Sequence, residues 1–308
     1  MNARLQQRVT PSRVPVVSPR KRSESLSEFD RIRHTIDGYL AKAAESRKRL
    51  LEEPYDPKLL HAWRVSLRRV TATLKDVASV SDDDLHDVLG YLRACREATG
   101  QCRDIDILAL ETLPAFLDKA HGKPADAEGL RNILGKLQQQ DHQQALAQLR
   151  RHSLATPLRA WRHWVHTLEP PTDGRIRDIA AATLEKRFGE LKKRAGKLDG
   201  GQKRLHRLRS ATKKLRYSIE LYEHAFPKQA TSQWLKCLAD LQAHLGLAHD
   251  RMMARKLMGG VTDGKDAKVR LKAFRRWTKR TAFEASEKAM HSLAKLEQLS
   301  AWWRPPAH

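Results

Sequence analysis

The sequence predicts an all-α protein, and three observations lead to that fold class. From Leu26 onward, apolar residues recur at spacings of three and four, the period of a helix with one buried face. Alternating polar and apolar runs, which are typical of strands, are missing from the sequence. Proline and glycine clusters divide the pattern into nine or ten helices of 12 to 25 residues.

The helix boundaries follow from these clusters in chain order. Pro57 is expected in the first turn of a helix, because a proline there loses no intrahelical hydrogen bond. Asp82–Asp84 is interpreted as a helix start, where acidic side chains face the positive end of the helix dipole. Further breaks are predicted at His121–Pro124, Glu169–Gly174, Asp199–Gly201, Gly259–Gly264 and Arg304–Pro306.

The charge composition indicates an anionic partner. The 308 residues include 59 Lys and Arg against 36 Asp and Glu, which gives a formal net charge of +23. Such a chain repels itself, so we expect it to bind a polyanion: nucleic acid, an anionic membrane surface or a phosphate polymer. No stretch approaches the ~18 consecutive apolar residues that a membrane-spanning helix needs.

The cysteines suggest a cytoplasmic protein, and both chain ends are interpreted as tails. Residues 1–25 are rich in Arg, Pro and Ser, which predicts a disordered basic tail, although an organellar transit peptide has a similar composition. Residues 300–308 are interpreted as a short C-terminal tail. Cys95, Cys102 and Cys237 form no C-x-x-C pair, and we expect them to be reduced thiols.

An internal repeat relates the two halves of the chain. The segment Leu60–Arg64 aligns with Leu205–Arg209 at an offset of 145 residues, and Gly100 aligns with Gly246 at an offset of 146. A repeat of this length indicates two copies of a helical bundle, since solenoid repeats span ~20–50 residues. We therefore predict one domain over residues 26–299, with helical halves at 26–169 and 175–299.

The first motif helix carries a row of cations beside its apolar face. On a helical wheel, the apolar face contains Leu60, Trp63, Leu67, Val70, Leu74 and Val77. The row of cations on the adjoining arc contains His61, Arg64, Arg68 and Lys75. The outward face is expected to carry Ala62, Ser66, Arg69, Thr73 and Asp76. A row of one sign on the flank of the core indicates the lining of a groove between helices.

The second motif helix repeats this arrangement. Its apolar face contains Leu205, Leu208, Leu215, Ile219 and Tyr222, with Thr212 among them. Its row of cations contains His206, Arg209, Lys213 and Arg216. Each pair of like charges on an exposed helix costs a few tenths of a kcal/mol. Repetition of this cost in both halves indicates that an anion compensates it, whereas a single such row could be ordinary surface.

Two histidines and two residues after Gly100 need separate interpretation. His61 and His206 either donate to a backbone carbonyl or, at the head of a cationic row, donate to a bound phosphate that raises their pKa. Arg103 is interpreted as a phosphate ligand, because its planar guanidinium forms paired hydrogen bonds with oxyanions. Asp104 is interpreted as a helix N-cap or as an orienting partner for an arginine.

These motifs resemble those of the conserved histidine α-helical domain (CHAD) family. The resemblance rests on His61-x-x-Arg64-x-x-x-Arg68-Arg69 and its copy from His206 to Tyr217. It also rests on Gly100-Gln101-Cys102-Arg103-Asp104-Ile105-Asp106 and on the degenerate copy Leu245–Asp250, so that it spans residues 26–299. It implies two pseudo-symmetric four-helix bundles around a basic central cavity. It also implies binding of inorganic polyphosphate and association with polyphosphate granules.

The resemblance also implies a set of polyphosphate ligands. These are His61, Arg64, Arg68, Arg69, Lys75, Arg103, His206, Arg209, Lys213, Lys214 and Arg216. For Arg93, Arg96, Arg187, Arg194 and His249, pocket lining and ordinary placement both stay open. Three positions depart from the family pattern: Thr71 stands where the family usually has Arg, Glu220 stands in the second row, and His249 replaces a more usual Asn. Because of the first two, the halves are not expected to bind equally.

Two other function classes are weighed against polyphosphate binding. Nucleic-acid binding fits the net charge, but zinc-finger spacing, an aromatic RNA-binding segment and a clear helix-turn-helix signal are missing, and Trp63, Trp161, Trp164 and Trp234 occupy core positions. Phosphoryl transfer normally needs carboxylates for Mg²⁺ and a phosphate-binding loop, and no such loop motif occurs. We therefore expect a non-enzymatic binding protein without cofactor or metal, since His163 and His166 alone are poor ligands for a metal site.

Overall fold

The computed structural model describes residues 26–78, 85–120, 124–198, 201–259 and 265–304. The first half of the chain forms α1 (Glu28–Glu52), α2 (Pro57–Val77), α3 (His86–Glu97), α4 (Gly100–Ile107), α5 (Leu113–Ala120), α6 (Pro124–Arg151) and α7 (Ala155–Thr167). A π-helical turn, Leu108–Thr112, joins α4 to α5. The second half forms α8 (Asp173–Ala195), α9 (Gln202–Tyr222), α10 (Lys228–Met258) and α11 (Lys265–Glu297), with a 3₁₀ turn at Glu223–Ala225.

The all-α prediction is confirmed, since the described part of the chain contains helices and no strand. If α4, the π turn and α5 are counted as one continuous helix, the described residues form ten helices, in agreement with the predicted nine or ten. The predicted lengths were too short for α6, α10 and α11, which have 28, 31 and 33 residues. The helix start proposed at Asp82–Asp84 and the basic tail of residues 1–25 lie outside the described residues.

Several helices begin where the sequence predicts, each with a polar cap. Asp56 caps α2 by accepting a hydrogen bond from the Lys58 backbone N–H at 2.8 Å, with Pro57 in the first turn. Thr172 caps α8 in the same way, by accepting from the Arg175 N–H at 3.3 Å. The capping groups satisfy backbone donors that have no partner inside the helix.

The predicted apolar faces of both motif helices are buried. Every apolar-face residue named above on α2 and α9 is at most 1% exposed, and the predicted core tryptophans are at most 3% exposed. Thr212 is also buried and donates to the Leu208 carbonyl at 3.0 Å. Residues 300–304, assigned above to a tail, pack on the second half: Trp303 joins its core, and the Trp303 indole N–H donates to Glu185 at 2.9 Å.

The predicted outward face of α2 is wrong for three of its five residues. Ser66, Thr73 and Asp76 are buried, with Asp76 only 3% exposed. This face contacts the second half of the chain: Asp76 binds Arg187 on α8 and Ser218 on α9. A helix wheel identifies one buried face per helix, but α2 packs on two sides.

The two halves meet through equivalent elements of the repeat. The α2 helix packs on α9, and α4 packs on α10, the helix that contains Gly246. A third apolar cluster combines residues of both halves, with Phe116 of α5 in edge-to-face contact with Phe274 of α11 at a centroid distance of 5.2 Å. The motif helices α2 and α9 therefore lie side by side at the junction of the halves.

Candidate anion-binding site

A pocket of about 510 Å³ lies between the two motif helices. Its cationic lining comes from α2 (Arg64, Arg68, Lys75), α3 (Arg93, Arg96), α8 (Arg187) and α9 (His206, Arg209, Lys213, Lys214). Among the described lining residues, Glu97 is the only acid. The structure thus brings most of the predicted ligands of both halves into one concave site.

The glycine of each repeat contacts the motif arginine of its own half. A Cβ atom on Gly100 would lie 3.9 Å from both terminal nitrogens of Arg64. A Cβ atom on Gly246 would lie 3.9 Å from the Nε of Arg209. Each guanidinium therefore lies beside the glycine of its own half, at a distance where an added Cβ would make ordinary van der Waals contact.

Arg64 is held at the C-terminal end of α3. Its Nη1 donates to the Thr99 hydroxyl at 3.0 Å and to the Arg96 carbonyl. Carbonyls at a helix C-terminus carry partial negative charge and favour a cation. Burial and the nearby Arg68 lower the pKa of Arg64 to about 10, so that the side chain stays charged at neutral pH.

Arg68 is the cation that connects the two halves electrostatically. After burial, its charge is a further cause of the lowered pKa values of Arg64, Lys213 and His206. Among the described residues, no carboxylate lies within 4.0 Å of its guanidinium. An anion in the pocket could therefore pair with Arg68 without displacing a carboxylate of the described residues.

Lys213 is the most deeply buried lysine of the pocket. It is only 7% exposed, and burial together with Arg68 and Arg209 lowers its pKa to about 6. Asp250 acts in the opposite direction but does not offset these causes. In the free protein at neutral pH, the Lys213 amine is therefore mostly uncharged.

Three histidines whose pKa values respond to the pocket cations are also neutral in the free protein, and of these His206 lines the pocket whereas His61 and His249 are not among its lining residues. Desolvation and the neighbouring Arg103 and Arg68 cations lower the pKa of His61 to about 4. Desolvation also lowers the pKa of His206, whose ring lies 5.3 Å from that of His249 between centroids. The pKa of His249 falls to about 3, because of burial and then of Arg209. A bound phosphate would raise all three values.

Comparison with known proteins identifies the family. The family model described as CHAD domain matches residues 34–259. The chain belongs to the CHAD family. Among solved structures, it is similar to the CHAD domain from the plant Ricinus communis, with a TM-score of 0.72, 22% identity and coverage of 89% of this chain and 93% of that chain. It is also similar to PptA from Streptomyces chartreusis, with a TM-score of 0.63, 15% identity and coverage of 89% and 100%.

These similarities bear on the fold alone, because both sequence identities are below 25%. Among curated proteins, no sequence matches the chain. The family assignment made from the four motifs is confirmed. No helix in the described ranges is long and apolar enough to cross a membrane.

Several predicted ligands of this CHAD domain lie outside the pocket. Arg69 and Arg216 both bind Glu220, at 3.2 and 2.9 Å, which confirms that Glu220 faces the second row. Arg69 also donates to the Tyr39 hydroxyl at 3.0 Å and thus lies at the junction of the halves. Arg103 donates to Glu111 at 3.2 Å. These three cations already have partners in the protein.

Glu190 binds cations at another edge of the site. It lies 3.8 Å from Arg194, which does not line the pocket, and 3.6 Å from Lys214, which does. Arg187 lines the pocket while its guanidinium binds Asp76. The CHAD-domain pocket therefore contains both paired cations and unpaired ones such as Arg68.

The interpretation of Asp104 as an N-cap is wrong, because Thr99 occupies that position and Asp104 lies in the middle of α4. Burial raises the pKa of Asp104, whereas the charges of Arg64, Arg209 and Arg103 oppose that rise. Asp250, its repeat counterpart, has its pKa raised to about 6 by burial. Each carboxylate thus lies near the motif arginines, as an orienting partner would.

Neutral polar residues also line the pocket and were not predicted as ligands. These are Thr71, Ser210 and Tyr217. Ser210 and Tyr217 lie three residues before and four residues after Lys213, so helical spacing from the row of cations could have identified them. In the described part of the chain, no cluster of His, Cys, Asp and Glu could hold a metal ion.

Replacement of Lys213 by methionine is expected to stabilise the free protein. The amine is buried among cations, and a buried polar group that is incompletely hydrogen-bonded costs about 1–3 kcal/mol, which an apolar side chain of similar length avoids. Urea unfolding at pH 7 measures the change. Lys236→Met, at an exposed position of α10, is the control and should change stability by less than ~0.5 kcal/mol. A Lys213→Met variant less stable than the wild type would contradict this interpretation of the site.

Proposed function

We propose that the pocket binds inorganic polyphosphate without catalysis. One observation supports this most strongly: cations from both halves line a single pocket with one acid among its described residues. Burial, and after it the repulsion from neighbouring cations such as Arg68, lowers the pKa of Lys213, Arg209 and Arg64. A bound polyanion would relieve the repulsive part of this free-energy cost. A chain of phosphates supplies repeated negative charge at short spacing and would contact both motif helices at once.

The mechanism of binding is the replacement of counterions and water by fixed donors. Arg68 and Arg209 would form charge-assisted, paired hydrogen bonds with phosphate oxygens, the strongest polar contacts available to the site. Each phosphate that is neutralised in this way releases a condensed counterion, so affinity should fall steeply with salt. Lys213 and the histidines would gain protons on binding and add charge only when the anion is present.

The lining favours a phosphate polymer over a nucleic acid. Single-stranded nucleic acids are usually held by aromatic side chains on which the bases stack. Tyr217 is the only Phe, Tyr or Trp among the described lining residues, and it is just 5% exposed. The four core tryptophans named above are buried and unable to stack on a base.

Competition at fixed salt tests this function. Labelled long-chain polyphosphate would be titrated with the full chain at two salt concentrations, and single-stranded and duplex DNA would then be added at equal phosphate concentration. We expect DNA to displace little polyphosphate. Efficient displacement would favour the alternative, a nucleic-acid-binding protein that uses its basic surface and residues 1–25.

The absence of catalysis and the location in the cell are parts of the same proposal. We expect no release of orthophosphate from polyphosphate in the presence of Mg²⁺. Release that is abolished by Asp104→Asn would instead indicate an enzyme. In the cell, we propose a cytoplasmic protein that associates with polyphosphate granules, and fluorescence imaging of the tagged chain beside stained granules would test this location.

Affinity for polyphosphate should rise as the pH falls from 8 to 6. The pKa of Lys213 is about 6 in the free protein, and a bound polyanion raises it, so the complex holds one more proton than the free components between these values. Linkage then predicts a change of up to about tenfold in affinity per pH unit in this window. The histidines extend the same trend to lower pH.

Isothermal titration in buffers of different ionisation enthalpy measures this proton uptake directly. Lys213→Arg is the matched variant, because arginine stays charged and should flatten the pH dependence between pH 6 and 8. An affinity of the wild type that is constant across this window would show that Lys213 does not gain a proton on binding.

A further inference from the structure

We propose that Lys213 is an acylation site for acyl phosphates, small metabolite-sized molecules in which an acyl group is joined to a phosphate. The inference goes beyond polyphosphate binding but rests on the same phosphate-binding pocket. It depends on a juxtaposition: a buried primary amine lies in an accessible pocket among guanidiniums that would hold a phosphoryl group beside it.

Among the described residues, the charged groups that act on Lys213 are cations, with Asp250 as the one opposing acid. Arg64 and Arg68 of α2, together with Arg209 of its own helix, lower its pKa, after burial itself. His61, His206 and His249 lie near enough for the Lys213 charge to lower their pKa values in turn. From α10, Asp250 is the acid that opposes these effects. Within 4.0 Å of the amine, the described residues place no carboxylate.

The neutral amine has a free electron pair and is therefore a nucleophile at pH 7. In the reaction, Nζ attacks the acyl carbon, and the bond from that carbon to the bridging phosphate oxygen breaks. Inorganic phosphate leaves with the bonding electrons and takes the amine proton. The products are an amide on Lys213 and inorganic phosphate, and no oxidant or further reactant is needed.

The bound reagent does not abolish the reactivity that it needs. A phosphoryl group nearby raises the pKa of the amine, but an acyl phosphate carries only two negative charges. Three guanidiniums surround Lys213, so the site keeps a positive excess that favours the neutral amine. Polyphosphate carries many more charges. It would block Lys213 both by occupying the pocket and by protonating the amine.

Lys214 is a matched control within the same protein. It is the next residue on α9 and lines the same pocket, but it is only half-buried and lies 3.6 Å from Glu190. Lys214 thus has a carboxylate partner, whereas within 4.0 Å of the Lys213 amine the described residues place none. Lys203 and Lys236 are exposed lysines on α9 and α10 and report the reactivity of ordinary surface amines.

The test is incubation of the native full-length chain with acetyl phosphate at pH 7, followed by mass spectrometry of the acetylation rate at each lysine. A pKa of about 6 raises the neutral fraction of Lys213 by over three decades relative to an ordinary lysine. The less basic amine is also intrinsically less nucleophilic, and this lowers its reaction rate by about two decades if the Brønsted slope is ~0.5, as for thiolates. We therefore expect Lys213 to react roughly tenfold faster than Lys214, Lys203 and Lys236.

Three further measurements make the proposal falsifiable. The Lys213 rate should level off above pH 7, whereas the rates of the exposed lysines should keep rising. N-acetylimidazole, a neutral donor without phosphate, should show a weaker preference for Lys213, and Arg68→Gln should weaken the preference of acetyl phosphate. Equal rates at Lys213 and Lys214, or equal preference with both reagents, would overturn the proposal.

Saturating polyphosphate separates this inference from the proposed function. We expect it to protect Lys213 and leave Lys203 unaffected. If Lys213 is selectively acetylated by acetyl phosphate but polyphosphate neither binds nor protects, the acylation site stands and the polyphosphate function fails. If polyphosphate binds but Lys213 reacts no faster than Lys214, the function stands and the acylation site fails.

Discussion

Replacing Arg68 and Arg209 together by glutamine is expected to lower polyphosphate affinity by roughly 10²–10⁴-fold at moderate salt, since each charge-assisted contact contributes about 1.5–3 kcal/mol. Arg68 lies on α2 and Arg209 on α9, so the two guanidiniums come from different halves and line the same pocket. Glutamine keeps a polar side chain of similar reach. Titration of labelled polyphosphate at two salt concentrations measures the loss.

The same experiment measures the number of phosphate contacts. Each lost contact should reduce the slope of log affinity against log salt concentration by somewhat less than one. The control is Arg159→Gln with Arg162→Gln, which removes the same net charge from exposed positions on α7. If the control loses as much affinity as the pocket variant, overall charge and not the pocket binds the polymer.

Replacing Asp76 by leucine is expected to destabilise the protein by about 3–5 kcal/mol, because it leaves the Arg187 guanidinium buried without this partner. The melting temperature should fall by roughly 5–20 °C. The carboxylate also accepts from the Ser218 hydroxyl, so the substitution disrupts contacts that join α2 to both α8 and α9. Differential scanning calorimetry and urea unfolding measure the effect.

The double variant Asp76→Leu with Arg187→Met is the matched control. It removes both charges together, and buried ion pairs replaced by apolar residues of similar size are often neutral or stabilising. We expect it to recover most of the lost stability, which would assign the cost to the buried guanidinium that has lost Asp76 and keeps only Glu190, at 3.9 Å. A double variant as unstable as Asp76→Leu alone would show that the pair contributes little and that leucine simply fits badly.

The Asp76 position also shows how much of the helix packing could be predicted from the sequence. Its counterpart in the repeat, 145 residues later, is Leu221, which is buried. Likewise, Ser66 corresponds to the apolar Ala211, which is also buried. The internal alignment thus contained a signal that α2 is buried on two sides. The helical wheel missed this signal, because a wheel uses the polarity of the residues of one helix and ignores the aligned residues of the other repeat.

Which cations would be available to an anion could not be predicted from the row of cations alone. Arg68 and Arg216 are both motif cations, yet Arg68 faces the pocket without a carboxylate partner in the described structure, whereas Arg216 binds Glu220 at 2.9 Å. Glu220 also binds Arg69 of the other half. Arg216 and Glu220 are four residues apart on α9, so helical spacing could have identified that pair, whereas Arg69 and Glu220 lie on different helices, and helical periodicity describes only neighbours within one helix.

The sequence by itself determined the all-α class, the buried faces of α2 and α9, the repeat and the family, because these depend on local periodicity and on motifs contiguous in the chain. Tertiary structure alone decided the protonation of Lys213. Helical spacing places Lys213 in the row of cations and Lys214 outside it, but spacing gives neither the burial nor the ion-pair partner of either lysine. Docking of α2 on α9 buries one amine among guanidiniums and leaves the other beside Glu190, and desolvation and charge at that junction set their different chemistry.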